Sequence, residues 1–148
     1  MKRLLIALGL IGAGAAASHK LGSRAEIAGV ASPLAPCGPH PNCARIARAV
    51  PADAATVRRV AEAAVRSDRG LLTGRPDEIS LTAGGLRATY RLGPFTDDLA
   101  LEVTPGASGE ASVLHLRSAA RVGRSDLGVN RRRVERLAAD VLARLGAG

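Results

Sequence analysis

The chain has 148 residues, enough for one domain with its own core, and a formal net charge of +8. Arginine supplies nearly all of that basicity, while Tyr90 and Phe95 stand alone as aromatics, so the stacking platforms of a single-stranded nucleic-acid binder are missing. With Lys2 and Arg3 assigned to a leader the charge falls to about +6; a duplex binder needs only phosphate contacts and stays open, but nucleic acid is not the favoured partner.

The leader is the first element. "MKR" is a positive n-region, "LLIALGLIGAGAAA" (residues 4–17) an apolar h-region, and Ala15, Ala16 and Ala17 offer a small-residue cleavage site before Ser18. The run falls short of the roughly 20 residues of a membrane span, so a cleaved signal is favoured over a retained anchor. Export to the periplasm or cell envelope follows. Residues 18–36, ending in "ASPLAP", read as a tether before a single domain over 37–148.

"PCGPHPNC" opens that domain. In an oxidising compartment Cys37 and Cys43 suit a local disulfide closing a small loop. Cys37, His40 and Cys43 also make an incomplete metal-ligand set, and free thiols are the third alternative. Cys37 follows Pro36 and lies far from the apolar run, which argues against lipid acylation.

From Ala52 the pattern is helical: Val57, Val60, Ala61, Ala64 and Val65 form one stripe, with Asp53 as cap and Gly70 as stop. The period then drops to two. Four strands are expected: "DEISLTA", "LRATYRL", "LALEV" and "SVLHLR". Gly84-Gly85 reads as a two-residue hairpin between the first two, because both central positions of such a turn need positive φ. The last element, residues 131–145, is a helix with Val134, Leu137, Ala138, Val141, Leu142 and Leu145 on one face.

These elements predict a two-layer α+β domain. A four-stranded antiparallel meander carries two helices on its apolar face, in the order α-β-β-β-β-α. The opposite face, with Arg87, Arg91, Glu102, His115 and Arg117, reads as ordinary solvated surface.

"RVGRSDLGVNRRR" (residues 121–133) poses the chemical question. With Asn130 as N-cap, Arg131, Arg132 and Arg133 would occupy the positive end of a helix dipole, where cations are unfavourable. Helical projection turns Arg132 away from the apolar stripe, sets Arg133 to one flank and leaves Arg131 as the arginine that reaches inward. Two tertiary answers compete. In the structural one, Asp97, Asp98 and Asp126 accept from Arg117, Arg121 and Arg131. In the other, the helix start, the arginines and Ser125 bind a phosphate or carboxylate. Asp97, Asp98, Asp126 and His115 would supply acids and a base for hydrolysis of an anionic substrate, but no nucleophile elbow, metal-binding histidine pair or phosphate loop accompanies them. An enzyme is the lesser reading, and no cofactor is called for.

At these residues the chain resembles a known family. "FTDDLALEV" followed by "LHLRSAARVGRSDLGVNRRRVERL" is similar to the signature of the domain-of-unknown-function 1499 family, and "CGPHPNC" to its opening C-P-x-S-P-N-C element. The likeness runs from Cys37 to the C-terminus. Gly38 and His40 stand where the family pattern has Pro and Ser, and Arg124 where an aromatic is common. The resemblance implies no activity, only an exported or membrane-associated setting.

The resulting expectation is an exported, envelope-associated domain with a non-catalytic anion-binding or assembly role. Its partner would be a membrane surface or an acidic protein surface; the alternative is a hydrolase acting on a phosphate ester-like substrate. The candidate surface comprises Asp97, Asp98, Arg117, Arg121, Ser125, Asp126, Asn130 and Arg131.

Overall fold

The computed structural model describes residues 31–146, apart from Leu71 and Thr73; the expected leader and most of the expected tether lie outside the described residues. Strand β1 (Cys43–Val50) is followed by helix α1 (Ala54–Ser67), strands β2 (Glu78–Leu81), β3 (Gly85–Leu92), β4 (Phe95–Pro105) and β5 (Ser112–Ala120), and helix α2 (Val129–Arg144). All pairings are antiparallel, in the order β1-β5-β4-β3-β2. The α+β architecture with two helices on one face is therefore as expected, but the sheet has five strands, not four.

The additional strand is β1, "CARIARAV", which pairs with β5 at the sheet edge. Ala44, Ile46 and Val50 join the core. Ala47 and Ala49 fall on the opposite side, and Arg48 interrupts the apolar side, so the two faces carry little hydrophobic contrast. Both helices cover the face that also carries Leu86, Ala88, Tyr90, Leu99, Leu101, Val103, Leu114 and Leu116. Each large apolar side chain fully buried there contributes about 1.5–3 kcal/mol.

Helix α1 starts at the predicted cap: Asp53 accepts from the Thr56 backbone N–H at 2.9 Å. It ends at Ser67, before the predicted stop at Gly70, because Asp68 takes an extended backbone and turns its carboxylate inward. The β2–β3 turn also differs from expectation. Thr82 and Gly85 close it through Thr82 N–H to Gly85 C=O, 2.9 Å, which centres it on Ala83-Gly84. Neither glycine adopts positive φ. Glycine is needed instead for close approach at Gly85, where a Cβ would meet the Leu101 carbonyl of the neighbouring strand.

The far side of the sheet is not uniformly solvated. Ala47, Val113 and His115 point there and are buried. The segment before the first cysteine packs too: Leu34 is buried and its carbonyl accepts from Arg45 Nη1 at 2.9 Å.

Candidate functional site

Three chain segments meet where β5 runs out into α2. The Ala120 N–H donates to the Asn42 carbonyl and the Arg121 N–H to the Thr96 carbonyl, both at 2.9 Å. Asn42 returns its amide to the Gly123 carbonyl. The neighbouring Cys43 is joined to Cys37 in a disulfide, which commits both thiols and holds the segment that carries Asn42.

The helix start is satisfied by Asp126. Its Oδ1 accepts from the Gly128 N–H at 2.9 Å, and its Oδ2 accepts from the Asn130 N–H and Nδ2, each at 2.7 Å. One carboxylate thus meets both the orphan donors and the positive end of the dipole. Asn130 is not the N-cap as expected. Gly128, at φ 78°, takes that place, and Asn130 lies buried at the second helical position.

The inward-reaching arginine is Arg133, not Arg131. Arg133 is fully buried and pairs with Asp97 Oδ2 at 2.9 Å. Its guanidinium lies 4.1 Å from the centroid of the Tyr90 ring. Its Nη1 donates to Ser118 Oγ at 2.9 Å and Asn130 Oδ1 at 2.8 Å, and the Ser118 hydroxyl also donates to Asn130 Oδ1. Beyond the ring, the Tyr90 hydroxyl donates to Asp68 Oδ2 at 2.9 Å, and Arg136 grips both Asp68 oxygens at 2.9 and 3.1 Å. Burial, followed by the nearby Asp68 charge, pushes the Tyr90 phenol well above its ordinary range. Arginine and aspartate alternate along this buried chain, so it carries no net charge.

Arg131 lies on the partly exposed flank, 3.7 Å from Glu135. The reason is the helix register: Arg133 stands four and eight residues before Leu137 and Val141, in line with the buried stripe.

The remaining candidates divide between the two sides of the sheet. Asp97 and Asn130 contact the buried arginine, and Ser125 and Asp126 lie near Asp97 in the loop before α2. Asp98 faces the far side and forms a bidentate pair with Arg121, both bonds 2.9 Å and both side chains about half exposed. Arg117 is also on the far side, in a cross-strand row with Arg45 and Arg87. Its buried Nε has no partner among the described residues. His115, expected at the surface, is buried, with Nε2 2.9 Å from Thr104 Oγ1. Burial, then the Arg45 charge, holds its pKa below the ordinary histidine value. It sits across from Glu102, facing away from Asp97, so the acids and the histidine of the hydrolytic reading are not gathered together.

Sequence reasoning missed an apolar cleft over this end of the domain. Leu72, Leu92, Phe95, Val122 and Leu127 expose about half or more of their surface, Leu127 as much as 82%. They converge around a cavity of about 300 Å³ whose lining also includes Tyr90, Asp97, Ser125, Asp126 and Val129. Arg91 at the end of β3, Arg121 and Arg124 in the loop after β5, and Arg132 in the first turn of α2 belong to the same end of the domain; Arg132 donates to the Leu127 carbonyl at 2.9 Å. Asp97 is 93% buried, with one oxygen on Arg133 and the other without a partner among the described residues. The signal for the cleft lay in turn positions, where isolated Leu, Val and Phe are ordinary one by one.

No helix among the described residues is long and apolar enough to cross a membrane. The disulfide belongs with an oxidising, extracytoplasmic setting.

No curated protein matches the chain significantly. Among solved structures the chain is similar to TTHA0849 from Thermus thermophilus, at 14% identity and a TM-score of 0.43, over 71% of this chain and 97% of that one. The family model for proteins of unknown function designated DUF1499 matches residues 33–141. With the disulfide loop, the Asp97–Asp98 pair and the arginine-rich loop all inside that match, the chain belongs to the DUF1499 family.

Proposed function

We propose that the chain is an exported, envelope-associated, non-catalytic domain that docks on an anionic membrane surface through the cleft end. The observation that carries this reading is the clustering of exposed apolar side chains. Of the six large ones among the described residues, Leu72, Leu92, Phe95, Val122 and Leu127 gather at one end, and only Leu81 lies elsewhere. Patches of this kind mark interaction surfaces. The arginines beside them select the partner: apolar tips insert at the head-group boundary while cations attract anionic lipid. The anion-binding role thus falls to exposed arginines such as Arg124 and Arg132, while Arg133 and Asp126 hold the scaffold. An apolar leader would deliver the domain to such a surface.

The test is flotation of the chain from Ser18 onward, the product of leader cleavage, with vesicles of phosphatidylcholine alone or mixed with phosphatidylserine. Binding should require the anionic lipid, weaken as salt rises, and be lost in Phe95→Ser/Leu127→Ser with the melting temperature unchanged. Equal flotation of that variant and the parent would refute the reading.

A further inference from the structure

The cleft has a floor as well as an apolar rim, and the floor restricts what can enter. Resting on the membrane reading above, we infer that the cleft takes the end of a single-chain, uncharged lipid alcohol drawn from the bilayer, with its hydroxyl donating to the free oxygen of Asp97.

Three observations select this chemistry. First, Asp97 is almost completely buried, and its Oδ1 has no partner among the described residues, while Oδ2 is held by Arg133 at 2.9 Å. A purely apolar guest would seal that oxygen from water without a donor, which is costly; a hydroxyl restores the bond. Second, the Asp97 charge is already balanced. A ligand ammonium would add an uncompensated cation beside Arg133, and a ligand carboxylate would meet the Asp97 and Asp126 carboxylates, so neither charged form fits. Arg133 itself is fully enclosed, so its guanidinium is not exposed to an anion in the cleft. Third, a cavity of about 300 Å³ is at the small end of ligand sites, suited to one chain and too small for two.

The experiment is titration of the full chain, followed by amide NMR shifts, with four probes of equal heavy-atom number: 1-nonanol, methyl octyl ether, octanoate and nonylammonium. Nonanol should saturate, shifting amides at Tyr90, Phe95, Asp97 and Val122, with the ether at least about tenfold weaker for want of the donor and the two ions weaker still. Equal binding of nonanol and ether would overturn the inference, as would preference for either ion or shifts confined to the far side of the sheet. These comparisons use the unaltered protein, so they do not depend on an Asp97 variant that loses its fold. Flotation with phosphatidylserine vesicles separates the two proposals. Flotation without a preference for nonanol overturns this inference alone, and selective nonanol binding without flotation overturns the membrane reading, and with it the bilayer as the source, while the hydroxyl contact to Asp97 stands.

Discussion

Replacing Arg133 by Met tests the buried chain most directly. Methionine keeps much of the arginine's length against the Tyr90 ring but removes the cation. Asp97 then loses the Oδ2 partner at 2.9 Å, and Ser118 and Asn130 lose Nη1 at 2.9 and 2.8 Å. Breaking a buried pair by deleting one partner costs about 3–5 kcal/mol, because the remaining charge stays enclosed. For a domain of this size each kcal/mol moves the melting temperature by roughly 3–5 °C, so the expected loss is on the order of 10–20 °C. Thermal unfolding followed by circular dichroism measures it. Asp97→Asn should cost less alone, and the double variant should cost about 1–3 kcal/mol less than the two singles together, since each already breaks the same pair. Arg131→Met, at a partly exposed pair 3.7 Å from Glu135, should change stability by less than about 1 kcal/mol. An Arg133→Met protein as stable as the parent, or additivity with Asp97→Asn, would refute the account.

Asp126→Ala removes three hydrogen bonds at the start of α2 and should cost about 1–2 kcal/mol in denaturant unfolding. Opening the Cys37–Cys43 bridge, six residues apart in sequence, should cost about 2 kcal/mol from loop-closure entropy, read as the difference between oxidised and reduced midpoints. His115 gives the pH signature. Its folded pKa lies below the ordinary value of 6.5 because of burial and Arg45, so the unfolded chain takes up the proton first. The His115 contribution is therefore complete above the unfolded value and is lost as pH falls below about 6.5 toward the folded value. His115→Gln should flatten that part of the stability profile, and an unchanged slope would contradict it.

The sequence was most legible where one rule applied alone. Alternation located β2 to β5 because Leu and Val stand against Arg, Glu and Thr, and Asp53 announced its helix by standing one residue before the apolar period. β1 escaped because Ala44, Ala47 and Ala49 are too small to distinguish an inner from an outer face. At α2, Asn130 has the side chain of a good cap, but the backbone needed a left-handed residue, and Gly128 supplies it at φ 78°. Arg133 is hard to read because its charge argues against its helical position: the line with Leu137 and Val141 is visible, but a buried arginine needs partners. Those partners, Tyr90, Asp97 and Ser118, come from strands that sequence reasoning cannot align to the helix. Asp68 and Tyr90 are 22 residues apart, and nothing local links them.

The partners of Arg133 also set an order of events. Tyr90 is supplied by β3, Asp97 by β4 and Ser118 by β5, so α2 finds no home for its cation until three strands have aligned. A helix arriving earlier would strand a bare guanidinium in a half-formed interior. Docking of α2 is thereby expected to follow completion of the meander, late on the folding route. Kinetically, the arginine then acts as a latch: Arg133→Met should accelerate unfolding while leaving the refolding rate nearly untouched. Slow opening of this kind protects a folded chain for longer than equilibrium stability alone would ensure.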